Sequence, residues 1–386
     1  MENRRARVIA LYLPQFHETE VNDRFWGKGF TEWTNVESAV PLFKGHLQPN
    51  EPGELGRYNL LNPETRAAQA KLAQEAGIEG FCYWHYWFGG GQETLTRPLD
   101  EVIRLGEPDL PFCVGWANHD WTTASWKKRR NQGQGQYIFR QTFPGREDEK
   151  AHFERLLPAF RDRRYLKVDG KLLFLVYDPM KIPDASAWME HWNELADRAQ
   201  LPGFHFVGLA DPIPRIGFHN LRNPEWGIEE AYARILSMGF QAVMPVNQKY
   251  AELRTAGPLK KVFFSLMRRA REGMILERYH YPDIIEHYYT SQDSREDVYP
   301  QILAGWDRSP RSGRRAIIYD QRTPEAFERM VAQAVHISEG KAKEHRILFL
   351  NSWNEWGEGA YVEPDRRFGH GFLRALRRQL ISDGQE

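Results

Sequence analysis

The chain has 386 residues, with 52 Lys and Arg balanced by 52 Asp and Glu. A formal charge of zero argues against nucleic acid or an anionic membrane surface as the main partner. No window of about twenty apolar residues is available for a membrane span.

The length suffices for one large domain, and barrels of alternating strands and helices often exceed the usual domain size. Aromatic residues make up 13% of the chain, which favours an aromatic-lined cleft. Cys82 and Cys113 both lie in apolar runs and read as buried thiols, not as a disulfide framework. Met1 to Arg7 is charged and leads into a strand without an apolar signal core, so the expected location is cytoplasmic. The oligomeric state is left open.

Eight short apolar runs read as strands, most of them followed by a helical pattern. The first is Arg7 to Leu13, ending in Pro14-Gln15-Phe16-His17. A helix from about Pro63 to Ala76 starts at Asn62-Pro63, a cap residue followed by proline in the first turn. The second strand is Gly80 to Trp84, the third Pro111 to Trp116, the fourth Lys171 to Tyr177 and the fifth Phe204 to Leu209. Phe240 to Val246 and Tyr299 to Gly305 are the sixth and seventh and carry the weakest patterns. A helix from about Pro324 to Glu339 leads to the eighth, Ile347 to Leu350. Strands alternating with helices imply a parallel sheet, and eight of them imply an α/β (β/α)8 TIM barrel. A long insertion, about Ile213 to Ser294, lies between the fifth and seventh strands. No repeat or low-complexity linker divides the chain, so residues 1–386 read as one barrel domain. Within the insertion, Lys260 to Arg271 reads as a basic amphipathic helix, a solvated face in preference to a membrane or polyanion contact.

Four loops after strands are rich in polar and aromatic residues: Gly27 to Asn35, Tyr83 to Gly91, Gly115 to Trp121 and Gly305 to Arg311. All fall at the strand ends where such barrels build their sites. The eighth strand stops in Asn351-Ser352-Trp353-Asn354-Glu355-Trp356-Gly357-Glu358-Gly359. Two carboxylates three residues apart, beside indoles that desolvate them, suit a pair in which one acid protonates a leaving oxygen and the other acts as base or nucleophile. Residues three apart on a helical turn have Cβ atoms roughly 5–6 Å apart, close enough to act on one sugar unit. Aromatic faces with Asn and Glu also suit a sugar ring. No His-x-x-x-His, Cys-x-x-Cys, nucleophile elbow, phosphate loop, dinucleotide fingerprint or Asp-x-Asp motif is present, so neither a metal nor a cofactor is expected.

The runs Ala10 to His17, Gly29 to Asn35, Tyr83 to Phe88, Gly305 to Asp307 and Trp353 to Gly359 resemble the WbsX-type family over nearly the whole chain. Members of that family are described as glycosyltransferases of lipopolysaccharide or O-antigen clusters, and as similar to glycoside hydrolase family 99, a (β/α)8 family of endo-acting α-mannosidases. Asn354 to Gly359 is similar to the Asn-Glu-Trp-x-Glu-Gly pattern of family 99. The resemblance implies that Glu355 deprotonates the sugar 2-hydroxyl, giving a 1,2-anhydro sugar, and that Glu358 is the acid, with retention as the outcome. Gly357 departs from the family 99 pattern, in which a bulky residue precedes the second glutamate.

The expected activity is therefore that of a retaining glycoside hydrolase-like enzyme acting on a bacterial surface polysaccharide or its fragments, with Glu355 and Glu358 catalytic. Tyr12, Gln15, Trp33, His85, Trp116, Asn118, Trp306, Asp307, Asn351, Trp353 and Trp356 are the expected carbohydrate contacts. A glycosyltransferase of surface-polysaccharide synthesis and a non-catalytic carbohydrate-binding barrel are the alternatives.

Overall fold

Eight parallel strands carry the architecture: β1 Arg7–Tyr12, β2 Gly80–Trp87, β3 Phe112–Trp116, β4 Lys171–Val176, β5 Phe204–Ala210, β6 Ala242–Pro245, β7 Gln301–Leu303 and β8 Ile347–Asn351. They come from a computed structural model that describes residues 4–123, 136–211, 224–260, 263–264 and 275–381. The hydrogen-bonded order runs β6-β5-β4-β3-β2-β1-β8-β7. A parallel bridge between Val243 and Val298 closes the ring between β6 and β7. Across it Tyr299 N–H donates to Val243 O at 2.8 Å, and Val243 N–H donates to Asp297 O at 2.9 Å. The protein is a (β/α)8 barrel. β7 is shorter than the apolar run suggests, because Pro300 has no N–H to give the ladder and Gly305, with φ +152°, turns the chain away.

A barrel helix follows each strand, besides shorter helices in the loops: α1 Pro63–Glu75, α2 Arg97–Leu105, α3 Arg146–Phe160, α4 Ala185–Arg198, α5 Pro224–Ser237, α6 Gln248–Ala256, α7 Pro324–Ser338 and α8 Gly371–Leu380. The cap at Asn62 forms as the sequence predicts, and Thr323 caps the seventh helix in the same way. Asn62 accepts from Glu64 N at 3.1 Å and Thr323 from Ala326 N at 3.2 Å, each with proline in the first turn. The insertion holds α5, β6, α6 and Glu277–His280, which pairs with Ile317–Asp320 outside the barrel. Most of Lys260 to Arg271 lies outside the described residues.

Two layers of side chains follow from strand alternation. On β2, Cys82, Trp84 and Tyr86 point into the barrel, while Phe81, Tyr83, His85 and Trp87 face the helices. Gly115 shows how tight the interior is: a Cβ there would lie 3.0 Å from Trp84 Cζ3 and 3.1 Å from Cys82 Sγ. Between sheet and helices the core is largely aromatic. Trp192 of α4 is fully buried, with Phe174 and Phe204 ring centroids at 5.0 and 5.5 Å. Among the described residues no helix is long and apolar enough to cross a membrane.

Candidate active site

Past Asn351 the chain forms a small hairpin instead of a helix. Asn354–Glu355 pairs antiparallel with Ala360–Tyr361, and the 3-10 turn Trp356–Glu358 joins them. Gly359, with φ +64°, closes the turn as its N–H donates to Trp356 O at 3.1 Å. Asn354 ties the hairpin to the end of β1, accepting from Leu13 N at 2.8 Å and donating to Leu13 O at 3.1 Å. Ser352 Oγ donates to Ala360 O and accepts from Glu355 N–H, both at 2.8 Å. Beneath the turn, Trp356 stacks on Tyr361 at 3.7 Å and its indole N–H donates to Glu363 at 2.6 Å. Glu363 also accepts from Tyr58 O–H at 2.8 Å and Gln69 Nε2 at 2.6 Å. Burial pushes its pKa up to about 7 despite these donors.

Arg311 organises the carboxylates. It lies on the turn Ser309–Ser312 after β7 and is itself buried. Its Nη2 meets Glu355 Oε1 at 2.7 Å, its Nη1 meets Glu358 Oε1 at 2.7 Å, and its Nε meets Glu32 Oε1 at 2.8 Å. Arg308 Nε approaches Glu358 Oε1 at 2.9 Å. Glu355 and Glu358 therefore share one guanidinium, and only Glu358 has a second. The electrostatics follow. Burial pushes Glu355 up to about 7, Arg311 opposes this, and the Glu358 and Glu32 charges reinforce it. Burial also acts against the charge on Glu358, but Arg308 and Arg311 outweigh it and hold its pKa below the usual carboxylate range. Glu32 is raised by burial against the pull of Arg311.

Gly357 is explained by the same cluster. A Cβ there would lie 1.7 Å from Glu32 Oε1 and 2.8 Å from Arg311 Nε. The missing side chain makes room for Glu32 against the turn.

The pair faces a cavity of about 940 Å3 at the C-terminal ends of the strands, the end where such barrels carry chemistry. Trp84, Tyr86, Trp121, Tyr177 and Trp306 supply aromatic surface, and Gln15, His119, Asp178, Gln248 and Asn351 supply polar groups. Of the contacts expected from sequence, Gln15, Trp306 and Asn351 line this cavity beside Glu355 and Glu358.

The others lie elsewhere. Tyr12, His85 and Trp116 are one strand position out of phase with the cavity-lining Leu11, Trp84 and Ala117, so they point toward the helices. Tyr12 O–H donates to Gln69 of α1 at 2.7 Å. His85 Nε2 lies 3.0 Å from His152 Nε2 of α3, beside a separate cavity of about 290 Å3 behind the barrel wall. Trp116 donates to Trp87 O at 2.8 Å and packs on Trp188 of α4. Asn118 braces the next loop, donating to Asp178 O at 2.8 Å and accepting from Asp178 N at 2.7 Å. Trp33 donates to Tyr58 O at 2.9 Å and packs against Trp356, below the turn that carries Glu355 and Glu358. Trp353 and Trp356 are buried in that same layer. Asp307 accepts from His46, Gln48 and Ser309 N, and borders a neighbouring pocket of about 310 Å3.

Residues that sequence reasoning passed over are Glu32, Arg308, Arg311, Tyr86 and Tyr177. The signal for the first three was present. Glu32 and both arginines sit in loops singled out for their composition, and two desolvated acids require cations nearby. Among the described residues no group of three or more His, Cys, Asp or Glu side chains is arranged to hold a metal ion.

The chain is 32% identical over 379 residues to the uncharacterised protein WxcX of Xanthomonas campestris pv. campestris strain B100, covering 97% of this chain and 50% of that protein. WxcX of a second strain is 31% identical over the same length. The chain thus spans about half the length of these curated relatives. Among solved structures, a glycoside hydrolase-like protein superposes with a TM-score of 0.59 at 13% identity, over 99% of this chain and 96% of that one. The GH99 endo-alpha-mannosidase from Bacteroides thetaiotaomicron superposes with a TM-score of 0.50 at 14% identity, over 97% and 95%. Such identities show a shared fold. The profile of the family described as Glycosyltransferase WbsX matches residues 8–376, and the chain belongs to the WbsX family.

Proposed function

We propose that the protein is a retaining glycoside hydrolase-like enzyme acting on a bacterial surface polysaccharide or its fragments, with Glu355 and Glu358 as its reacting carboxylates. The observation that carries this reading is the sharing of one buried guanidinium by both carboxylates at the wall of an aromatic, hydroxyl-compatible cavity. The similarity of Asn354 to Gly359 to the family 99 pattern supports α-manno-configured sugars and a 1,2-anhydro sugar intermediate.

The roles of the pair depend on the arginines. Two guanidinium contacts on Glu358 and one on Glu355 favour Glu358 as the ionised partner and Glu355 as the carboxyl that carries a proton. For the free enzyme we assign the acid to Glu355 and the base to Glu358, the reverse of the roles implied by the resemblance.

A screen of purified protein against bacterial polysaccharides, comparing wild type with Glu358→Gln, tests the reading. Products are expected from wild type alone, and equal product from both proteins removes Glu358 from the mechanism. The family description supports transfer from an activated sugar as a second reading. Consumption of a nucleotide sugar without glycan hydrolysis would select it.

A further inference from the structure

Two reacting carboxylates do not account for a third. Glu32 is fully buried beside them, on the short helix Glu32–Glu37 in the loop after β1. Its N–H donates to Gln15 O at 3.1 Å, which fixes where the side chain starts. The carboxylate then lies over Gly357 and meets Arg311 Nε at 2.8 Å. A surface acid would not need a glycine opposite it, nor a guanidinium buried with it.

Charge counting gives this arrangement a consequence. Glu32, Glu355 and Glu358 are three acids, while Arg308 and Arg311 are two cations. The buried cluster is neutral only when one acid keeps its proton, and an uncompensated buried charge is costly. Glu358 is held by both arginines. Glu32 lies deepest and occupies Arg311 Nε. Glu32 and Glu355 have one contact each, both with Arg311, so the retained proton falls to these two, and the charge Glu32 carries favours the protonated form of Glu355.

We propose that Glu32 is a positioning residue: it anchors Arg311 so that one guanidinium spans Glu355 and Glu358, and by competing for that guanidinium it favours the protonated form of Glu355. The proposal rests on the reading of Glu355 and Glu358 as the reacting pair. The groups around Glu355 are Glu32 from the first loop, Arg308 and Arg311 from the loop after β7, Glu358 on its own turn and the Tyr86 phenol from β2. The Tyr177 phenol from β4 faces Glu358. Removing Glu32 deletes a negative charge and frees a donor of Arg311 while leaving both Glu355 and Glu358 in place. Both effects favour the ionised form of Glu355.

The test needs no substrate. The carboxylic acid C=O band is followed by infrared difference spectroscopy against pH in the free protein. In wild type, a band abolished by Glu355→Gln should titrate near neutrality. In Glu32→Gln, which keeps the side-chain shape, its midpoint should fall by about one pH unit, the size expected of a lost like charge at close range. If Glu32→Gln does not fold, Glu32→Asp draws the carboxylate back from Arg311 by one methylene, and its midpoint must move in the same direction. An unmoved midpoint in whichever variant folds, or a wild type with no band assignable to Glu355, overturns the proposal. Loss of turnover in a Glu32 variant without a moved midpoint means Glu32 merely fills space, and overturns it too. Absence of glycan cleavage by wild type would defeat the proposed function while leaving the titration result intact.

Discussion

The carboxylate of Glu32 occupies the space in which a side chain at Gly357 would begin: a Cβ at that position would lie 1.7 Å from Glu32 Oε1. Two segments more than 300 residues apart in the chain are thereby in direct contact beneath Glu355 and Glu358. Gly357→Ala should force Glu32, and Arg311 with it, out of register. Overpacking of this kind costs about 1–3 kcal/mol. Urea unfolding should show that loss, together with sharply reduced glycan turnover. Unchanged stability and turnover would mean that the turn relaxes freely and that the glycine has no such role.

The assignment of acid and base can be separated by leaving-group chemistry. An acid catalyst is dispensable when the leaving group is already a stable anion, while a base or nucleophile is not. Using aryl glycosides of whichever sugar the polysaccharide screen releases, Glu355→Gln should keep most of its turnover with a strongly acidic phenol as leaving group and lose it with a poor one. Glu358→Gln should be inactive on both. The opposite pattern would restore the roles that family 99 implies.

Glu363 predicts a stability profile. Its pKa rises from the ordinary 4.5 to about 7 on folding, because the side chain is buried beneath Trp356. The folded protein therefore binds that proton more tightly than the unfolded chain. The stabilisation is full below about pH 4.5 and is lost as pH rises through 7, a change on the order of 3 kcal/mol. Glu363→Gln should be less stable overall but flatter between pH 4.5 and 7.5 in urea unfolding. Parallel profiles for the two proteins would show that Glu363 does not retain a proton on folding.

Strand phase predicts which aromatic residues matter for binding. Tyr177 lines the cavity at the end of β4, whereas Tyr12 points to Gln69 of α1. Tyr177→Ala should weaken glycan affinity by roughly tenfold, equivalent to about 1.4 kcal/mol. Tyr12→Phe should lose only its hydrogen bond, costing about 1 kcal/mol of stability without changing turnover. Calorimetric titration with the identified glycan and thermal unfolding distinguish the two. A loss of affinity in Tyr12→Phe would contradict the alternation.

Much of this protein is determined locally. Ile347 to Leu350 reads as a buried strand, because four consecutive apolar residues suit a parallel sheet covered on both faces. Asn62-Pro63 and Thr323-Pro324 start their helices wherever the chain places them, since cap and fixed φ act within one turn. From these signals the eight strands, their order and the end of the barrel that carries Glu355 and Glu358 are legible in sequence.

The composition of the site is a different matter. Tyr12, His85 and Trp116 stand at the right end of the right strands, yet one step in the pleat turns each toward a helix. Trp33, Trp353 and Trp356 have the chemistry of sugar contacts but form the buried layer under the hairpin. Arg311, Glu32 and Gly357 come together only when the first loop, the seventh and the eighth converge on one end of the closed ring. Side-chain phase and ion pairing over such separations are properties of three-dimensional packing. They depend on which faces the closed ring turns inward and on how buried charges are matched, and neither quantity is encoded in any single window of sequence.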